Sequence, residues 1–325
     1  MRRLLAPLAF AGRYGTQGFA LSLAVGILLP GLATAARPLL SVTIFVFLVL
    51  TFARADLPEI ARVLRRPAKL ALACAWLLLA PPLLVGFGLA LVGRAAVDPG
   101  LVLGLAVVAA APPILSAPAI AILLGLEPTL LLAATVLTTL ASPLTAPVVA
   151  EWVAGAVVPL DAVALAGRLA GFIGGSLVVA AGFRRLLGHR CIVAHAQAID
   201  GAGVLCYVLF AIAAMDGVAE AAWNRPLLVA GFVAIAFAIS LAGLAFASIG
   251  LAALKPAERF LLGYATGHRN MGLLIASLGA GTPETTFLFF ALAQFPIYLL
   301  PQALKPLAAR LAARPSARVE TGADA

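Results

Sequence analysis

The stretch GYATGHRNMGLL, residues 263–274, places a histidine, an arginine and an asparagine side by side in an otherwise small or apolar run. Arg269 carries the clearest chemical meaning, because a guanidinium in the middle of a membrane span costs at least about 2.5–3.5 kcal/mol on insertion scales. A residue kept at that cost indicates a functional site or a transport pathway. Because a planar guanidinium matches a carboxylate in bidentate fashion, we expect Arg269 to bind an anion.

The neighbours of Arg269 have less specific interpretations. Asn270 is expected to line the same cavity, since an amide left unpaired in hydrocarbon is costly. Thr266 either lines that cavity or bonds locally. His268 is either a proton carrier or an imidazole that satisfies a backbone carbonyl, and the sequence leaves both open.

Other polar residues do not form a catalytic set. Arg168 is expected to extend toward the outer interface, and Asp200 is either a buried acid or an interfacial one. No nucleophile, metal-ligand cluster or carboxylate pair converges, so we expect neither an enzyme nor a cofactor. The three cysteines, Cys74, Cys191 and Cys206, are expected to be core residues.

The composition indicates the environment of these residues. The 325 residues are 63% hydrophobic and 11% charged with a mean hydropathy of +1.11, which excludes a water-soluble globule. Apolar windows of membrane-spanning length follow one another, so we predict an all-α integral protein of the lipid bilayer. Ten spans are predicted, at roughly 15–35, 38–53, 70–92, 101–125, 128–150, 161–187, 194–215, 226–253, 257–279 and 284–305.

The basic residues predict the orientation of the chain. With the N-terminus inside, 17 of the 22 Lys and Arg residues fall in cytoplasmic segments and three in outer joints. This predicts an inner (plasma) membrane protein with both termini cytoplasmic, and it explains the net charge of +9 without nucleic acid. Residues 1–14 form the predicted N-terminal segment and residues 309–325 a disordered tail. Residues 54–69 form either an amphipathic surface helix or a solvated loop.

Two predicted spans are interrupted at matching positions. The fourth contains Pro112, Pro113 and Pro118, and the ninth contains glycines on both sides of Arg269. Ten spans give two five-helix halves of opposite orientation, residues 15–150 and 161–308. Paired interruptions in such halves are typical of the binding site of a secondary transporter.

Two stretches carry a family resemblance. TVLTTLASPLTAP, residues 135–147, and GYATGHRNMGLLIA, residues 263–276, resemble the fifth and ninth helices of the bile acid:sodium symporter superfamily, which includes arsenite permease relatives. The resemblance implies that the broken fourth and ninth helices cross in a core domain beside a panel domain. It also implies that the substrate crosses between panel and core next to this crossing.

The same resemblance implies sodium ligands that this chain largely lacks. Ala117 and Pro118 stand where sodium-coupled members have a Ser-Asn pair, and Ser116 comes one place early. Ala265 replaces their glutamate and Arg269 their glutamine. Hydroxyls of the fifth helix remain, at Thr135 and Thr138.

We therefore expect a secondary transporter for a small organic anion, independent of sodium, in which Arg269 takes the electrostatic place of the ion. The expected substrate site comprises Ser116, Ala117, Pro118, Thr135, Thr266, His268, Arg269 and Asn270. Uniport and proton coupling are both open, and a monomer is expected. The alternatives are a sodium-coupled symporter of the bile acid type and a membrane scaffold without transport.

Overall fold

The computed structural model describes residues 15–54, 62–65 and 67–313. The predicted N-terminal segment, half of residues 54–69 and residues 314–325 of the predicted tail lie outside these ranges. The helices are α1 (Gly15–Leu28), α2 (Pro30–Ala36), α3 (Leu40–Arg54), α4 (Pro67–Val92), α5 (Pro99–Ala110), α6 (Ala117–Leu123), α7 (Thr129–Ala154), α8 (Ala162–Ala194), α9 (Ala196–Ala214), α10 (Val218–Asn224), α11 (Pro226–Gly250), α12 (Pro256–Gly267), α13 (Met271–Leu278), α14 (Glu284–Leu292) and α15 (Gln294–Ala312).

Seven helical segments of the described chain are long and apolar enough to cross a membrane. They coincide with the predicted second, third, fifth, sixth, seventh, eighth and tenth spans. The first predicted span contains α1 and α2, which are separated at Leu29 because Pro30 begins a new helix. α2 continues through Arg37–Leu39 into α3, as part of the membrane-length segment Pro30–Arg54. An all-helical fold compatible with a helical membrane protein is therefore confirmed for the described residues.

The last helix is longer than predicted. α15 continues to Ala312, four residues into the segment that the sequence analysis assigned to a disordered tail. Residues 308–312 read AARLA, and alanine, leucine and arginine all have high helix propensity. The boundary at residue 309 was therefore wrong, and the helix ends after Ala312.

The helices pack as two groups. In the first group, α9 packs against α1, α2 and α3, and α8 packs against α3. In the second group, α4, α5 and α7 pack together, α12 packs against α4 and α11, and α14 packs against α5 and α11. The groups touch along α7 and α8 and where α13 meets α3 and α8. We call these sets the first and second helix groups, and we count α6, α13 and α15 with the second, because they continue or pack against its helices.

The fourth and ninth predicted spans are interrupted, as predicted. The fourth is divided into α5 and α6 by an extended segment that contains Pro112 and Pro113. The ninth is divided into α12 and α13 by His268, Arg269 and Asn270. Prolines explain the first interruption, because they remove backbone donors and clash with the preceding turn.

Small residues position the second interruption against α11. A Cβ at Gly267, the last residue of α12, would lie 2.5 Å from the backbone Cα of Ser240, and one at Gly243 would lie 2.9 Å from the Gly267 nitrogen. Only glycine permits this approach of the two backbones. The contact fixes the end of α12, from which His268 and Arg269 extend.

Candidate functional site

The two interruptions pair with each other through their backbones. Pro113 and Arg269 face each other in an antiparallel bridge. On either side, the Ile114 nitrogen donates to the His268 oxygen at 3.0 Å, and the Asn270 nitrogen donates to the Pro112 oxygen at 2.8 Å. Pro113 occupies the position whose own N–H is not used by the bridge, so its missing donor costs nothing there. The predicted meeting of the two interruptions is confirmed.

The Arg269 side chain is buried, with 3% of its surface exposed. Nη2 donates to the Leu77 oxygen of α4 at 2.9 Å, and Nη1 donates to the Ala265 oxygen at 3.3 Å. Both acceptors lack a standard helical partner. Leu77 is four residues before Pro81, which has no N–H to give, and Ala265 lies in the last turn of α12. The guanidinium therefore satisfies carbonyls that the two helices leave unpaired.

One donor of Arg269 has no acceptor among the described residues. Nε is buried and makes no hydrogen bond. No Asp or Glu within the described ranges forms an ion pair with Arg269, although four other ion pairs are present. A buried guanidinium with an unmet N–H and no counter-charge is complementary to an anion.

Arg269 lines a cavity of about 30 Å³ between the two helix groups. The first group contributes side chains of α3 and α9, and the second contributes both interruptions and the start of α15. The lining residues are Thr43, Ile44, Phe47, Ile114, Cys206, Tyr207, Phe210, Arg269, Asn270, Met271, Gly272 and Gln294. This volume accommodates roughly two water molecules. The cavity is therefore too small to hold an organic anion as it stands.

Asn270 lines this cavity, as predicted, and also caps α13. Its Oδ1 accepts from the Leu273 nitrogen at 3.4 Å. Gly272 follows two residues later and also lines the cavity. A Cβ on Gly272 would lie 2.9 Å from Cε2 of Phe210 and 3.0 Å from Cδ1 of Ile44. The cavity is therefore closed here by side chains of the first group resting on the start of α13.

His268 lies on the other side of the interruption and is not among the residues that line the Arg269 cavity. Its ring stacks on Tyr264, with centroids 3.9 Å apart. Nδ1 lies 2.7 Å from the Tyr264 oxygen and Nε2 lies 3.3 Å from the Pro296 oxygen. A neutral imidazole has one N–H, so it can donate to only one of these two carbonyls at a time. This placement favours the carbonyl-satisfying interpretation of His268.

Thr266 is fully buried and bonds locally. Its hydroxyl donates to the Leu262 oxygen at 2.7 Å and accepts from Nε1 of Trp76 at 3.0 Å. The hydroxyl's donor and an acceptor site are thus both used within the second helix group. Of the two interpretations of Thr266, the structure supports the structural one.

The predicted residues of the first interruption are also buried. Ser116 precedes α6, and its side chain and backbone interact with the Tyr207 hydroxyl of α9. Ala117 and Pro118 form the first turn of α6 and are buried. Ile114, rather than these three residues, lines the Arg269 cavity. Ser116 is therefore connected to the cavity through Tyr207.

The two threonines of α7 differ from each other. The Thr138 hydroxyl donates to the Ala134 oxygen at 2.7 Å. The Thr135 hydroxyl is buried and has no hydrogen-bond partner within the described residues. Neither threonine lines the Arg269 cavity. Thr135 is thus an unsatisfied polar group at the position where the family resemblance implies a sodium ligand.

Two further polar residues have defined partners. Arg168 of α8 donates through Nη1 to the oxygens of Ser277 at 3.3 Å and Leu278 at 3.0 Å, at the carbonyl end of α13. Asp200 of α9 pairs with Arg54 at the end of α3, and about half of the Asp200 side chain is exposed. Asp200 is therefore a partly exposed acid and not a buried one, and Arg168 connects the first group to the carbonyl end of α13.

Sequence reasoning missed most of the cavity wall. Tyr207, Phe210, Ile44 and Gln294 are ordinary residues of apolar helices, and no local pattern distinguishes them. A signal did exist for the Leu77 carbonyl, because Pro81 in the middle of a span always leaves the carbonyl four residues earlier without a helical donor. That rule predicts an acceptor in α4 but not the arginine that uses it.

Comparison with known proteins adds no assignment. No protein-family model matches the chain, and the search of curated proteins gives no significant sequence match.

Proposed function

We propose that this chain is a secondary transporter that moves a small organic anion across the inner membrane by alternating access, without sodium. The observation that carries the proposal is the buried Arg269 guanidinium, with an unmet Nε and no counter-charge among the described residues, at the junction of two interrupted helices. A carboxylate or sulfonate on Nε would supply the missing acceptor and the missing charge.

The proportions of the broken helices support a transporter of two inverted repeats. α5 and α6 have 12 and 7 residues, and α12 and α13 have 12 and 8. Seven segments of the described chain are long enough to span a membrane, and we propose that α1 and the two broken pairs complete ten spans. Non-helical backbone at membrane depth is tolerated where protein or a cavity satisfies it, and the mutual pairing of the interruptions does so here.

The position of the cavity supports alternating access. The first helix group supplies one wall and the second group supplies Arg269, in agreement with the panel and core domains that the resemblance implies. Pockets for organic ligands usually measure about 300–1,000 Å³, whereas this cavity measures about 30 Å³. A substrate would therefore bind only after the two groups separate, and closure around it would occlude it.

A sodium-coupled symporter of the bile acid type is the second candidate. The buried, unpartnered hydroxyl of Thr135 favours it, because sodium binds hydroxyl and carbonyl oxygens. Against it, Ala265 and Ala117 offer no side-chain oxygen, and the cation Arg269 is adjacent. Proton coupling through His268 is less well supported, since His268 is engaged by backbone carbonyls outside the cavity.

A thermal-shift screen of the purified protein against carboxylates and sulfonates, with and without sodium, tests the proposal. A ligand at 100 times its Kd stabilises the folded state by about 2.7 kcal/mol, so we expect a clear rise in Tm. The rise should disappear in Arg269→Met and persist in Arg225→Met, whose guanidinium pairs with Glu284 at a distant, exposed site. A sodium-dependent rise that survives Arg269→Met would support the second candidate instead.

A further inference from the structure

A larger hollow lies one helical turn from the Arg269 cavity. It measures about 410 Å³ and also lies between the two helix groups. On α13, Gly272 lines the cavity and Ala276 lines the hollow. On α3, Ile44 lines the cavity and Leu40 lines the hollow. Four residues of a helix span about 6 Å. Along both α3 and α13, the hollow and the cavity are therefore separated by about one helical turn.

The partition between the two spaces consists of side chains alone. Ile44 and Phe210 of the first group rest on Gly272 of the second group, at the distances given above. The ring of Phe210 contacts that of Phe290, with centroids 5.9 Å apart, and the ring of Phe290 contacts that of Phe287, with centroids 5.5 Å apart. This aromatic row leads from the cavity to the rim of the hollow, where Phe287 is one of the lining residues.

Two arginines of the first group contact the second group along the lining of the hollow. The guanidinium carbon of Arg37 lies 4.2 Å from the Phe287 ring centroid, in cation–π geometry. Asp216 fixes Arg37, with Nη1 of the arginine 2.7 Å from Oδ2. Arg168 binds the last carbonyls of α13 next to Gly279, which also lines the hollow. A cation at a helix carboxyl end is favourably placed.

We infer that this hollow is the access vestibule of the Arg269 cavity, and that the Arg37–Phe287 contact and the Arg168–α13 contact form its gate. The inference rests on the proposed function and adds the route by which the anion enters and the contacts that control its entry. The basic-residue pattern places Arg37 and Arg168 near the outer end of their helices, so the gate controls access from outside. Opening it separates Arg37 from Phe287 and removes Ile44 and Phe210 from Gly272. Arg37, whose side chain is about half exposed, is then a cation at the entrance.

Cys206 provides a direct measurement, because it lines the cavity behind the partition. Cys74 and Cys191 are first replaced by alanine, and the full-length protein is placed in sealed vesicles. An impermeant anionic thiol reagent, 2-sulfonatoethyl methanethiosulfonate, is added on the outer side without any substrate. The labelling rate of Cys206 then reports how often the gate opens.

We expect Cys206 to be labelled slowly in this background protein. The rate should be about twofold to fivefold higher in Arg37→Ala and in Phe287→Leu, the range that loss of one exposed cation–π contact implies. Phe287→Leu keeps an apolar side chain and protects the fold. The matched control is Arg225→Ala, which removes another arginine of the same end that does not line this hollow. Cys206 of this variant should be labelled at the same rate as in the background protein.

Equal rates in all four proteins would overturn the inference, as would fast labelling in the background protein or an equal increase in Arg225→Ala. Should Arg37→Ala fail to fold, Phe287→Leu and Ile44→Val, which thins the partition by one methylene, decide the question. The result is independent of transport. If labelling depends on the gate but no anion is taken up, the vestibule is supported and the proposed function is refuted. If anions are taken up but labelling does not depend on the gate, the proposed function is supported and the vestibule is refuted.

Discussion

Replacing Arg269 should destabilise the protein even without a ligand, by an amount that depends on Pro81. The guanidinium supplies the donor that Pro81 withholds from the Leu77 carbonyl, at 2.9 Å. Pro81→Ala restores a backbone N–H four residues after Leu77, so α4 can satisfy this carbonyl itself. The two substitutions should therefore be coupled: Arg269→Met should cost less in the Pro81→Ala background than in the wild-type protein.

The magnitude follows from the bond that is lost. A hydrogen bond from a charged donor contributes about 1.5–3 kcal/mol, and a buried acceptor left unpaired costs about 1–3 kcal/mol. Since the Ala265 bond is lost in both backgrounds, it cancels in the cycle. We expect a coupling free energy of about 1–2 kcal/mol, well above the few tenths expected of independent sites.

The assay is the free energy of unfolding in detergent micelles for the wild type, the two single variants and the double variant. Pro82→Ala is the matched control, because Pro82 is the next residue of the same helix and deprives Leu78, not Leu77, of its donor. A cycle between Pro82 and Arg269 should give no coupling. Equal losses from Arg269→Met in the wild-type and Pro81→Ala backgrounds would refute this structural role of the guanidinium.

Two further predictions concern sodium and the α11–α12 contact. Sodium chloride should not raise Tm more than potassium chloride at the same concentration. Thr135→Val should change the free energy of unfolding by no more than about 0.5 kcal/mol, or increase it, because the hydroxyl that is removed has no partner among the described residues. A saturable rise in Tm with sodium that Thr135→Val abolishes would contradict this. Gly267→Ala should lower the free energy of unfolding by about 1–3 kcal/mol, because its Cβ would lie 2.5 Å from the Ser240 backbone. Gly231→Ala, with nothing within 4 Å, should be neutral or stabilising, and equal effects of the two would refute the close approach of α11 and α12.

The sequence was most informative where a residue's backbone chemistry acts locally. Prolines at 112 and 113 predicted the first interruption correctly, because their effect on a helix depends on no distant partner. The polar cluster around Arg269 likewise predicted the second, and the two interruptions were expected to meet. The end of α15 was missed because a polar, charged segment was interpreted as a tail despite its strong helix formers.

Side-chain direction could not be predicted from the sequence. His268 and Arg269 are adjacent, yet one stacks on Tyr264 outside the cavity and the other lines it, because the interruption turns consecutive residues to opposite sides. The cavity wall depends on Tyr207 and Phe210, which reach the site only through the packing of α9 against α3. Such contacts join residues more than 60 positions apart and leave no local pattern in the sequence.

Uptake of radiolabelled acetate, pyruvate, benzoate and succinate into proteoliposomes tests the central claim most directly, with wild type, Arg269→Met and Arg225→Met measured side by side in sodium-free potassium buffer. We expect saturable uptake of at least one of these carboxylates by the wild type and by Arg225→Met, and its loss in Arg269→Met. Saturable uptake that is unchanged in Arg269→Met, or that requires sodium, would refute the proposed function.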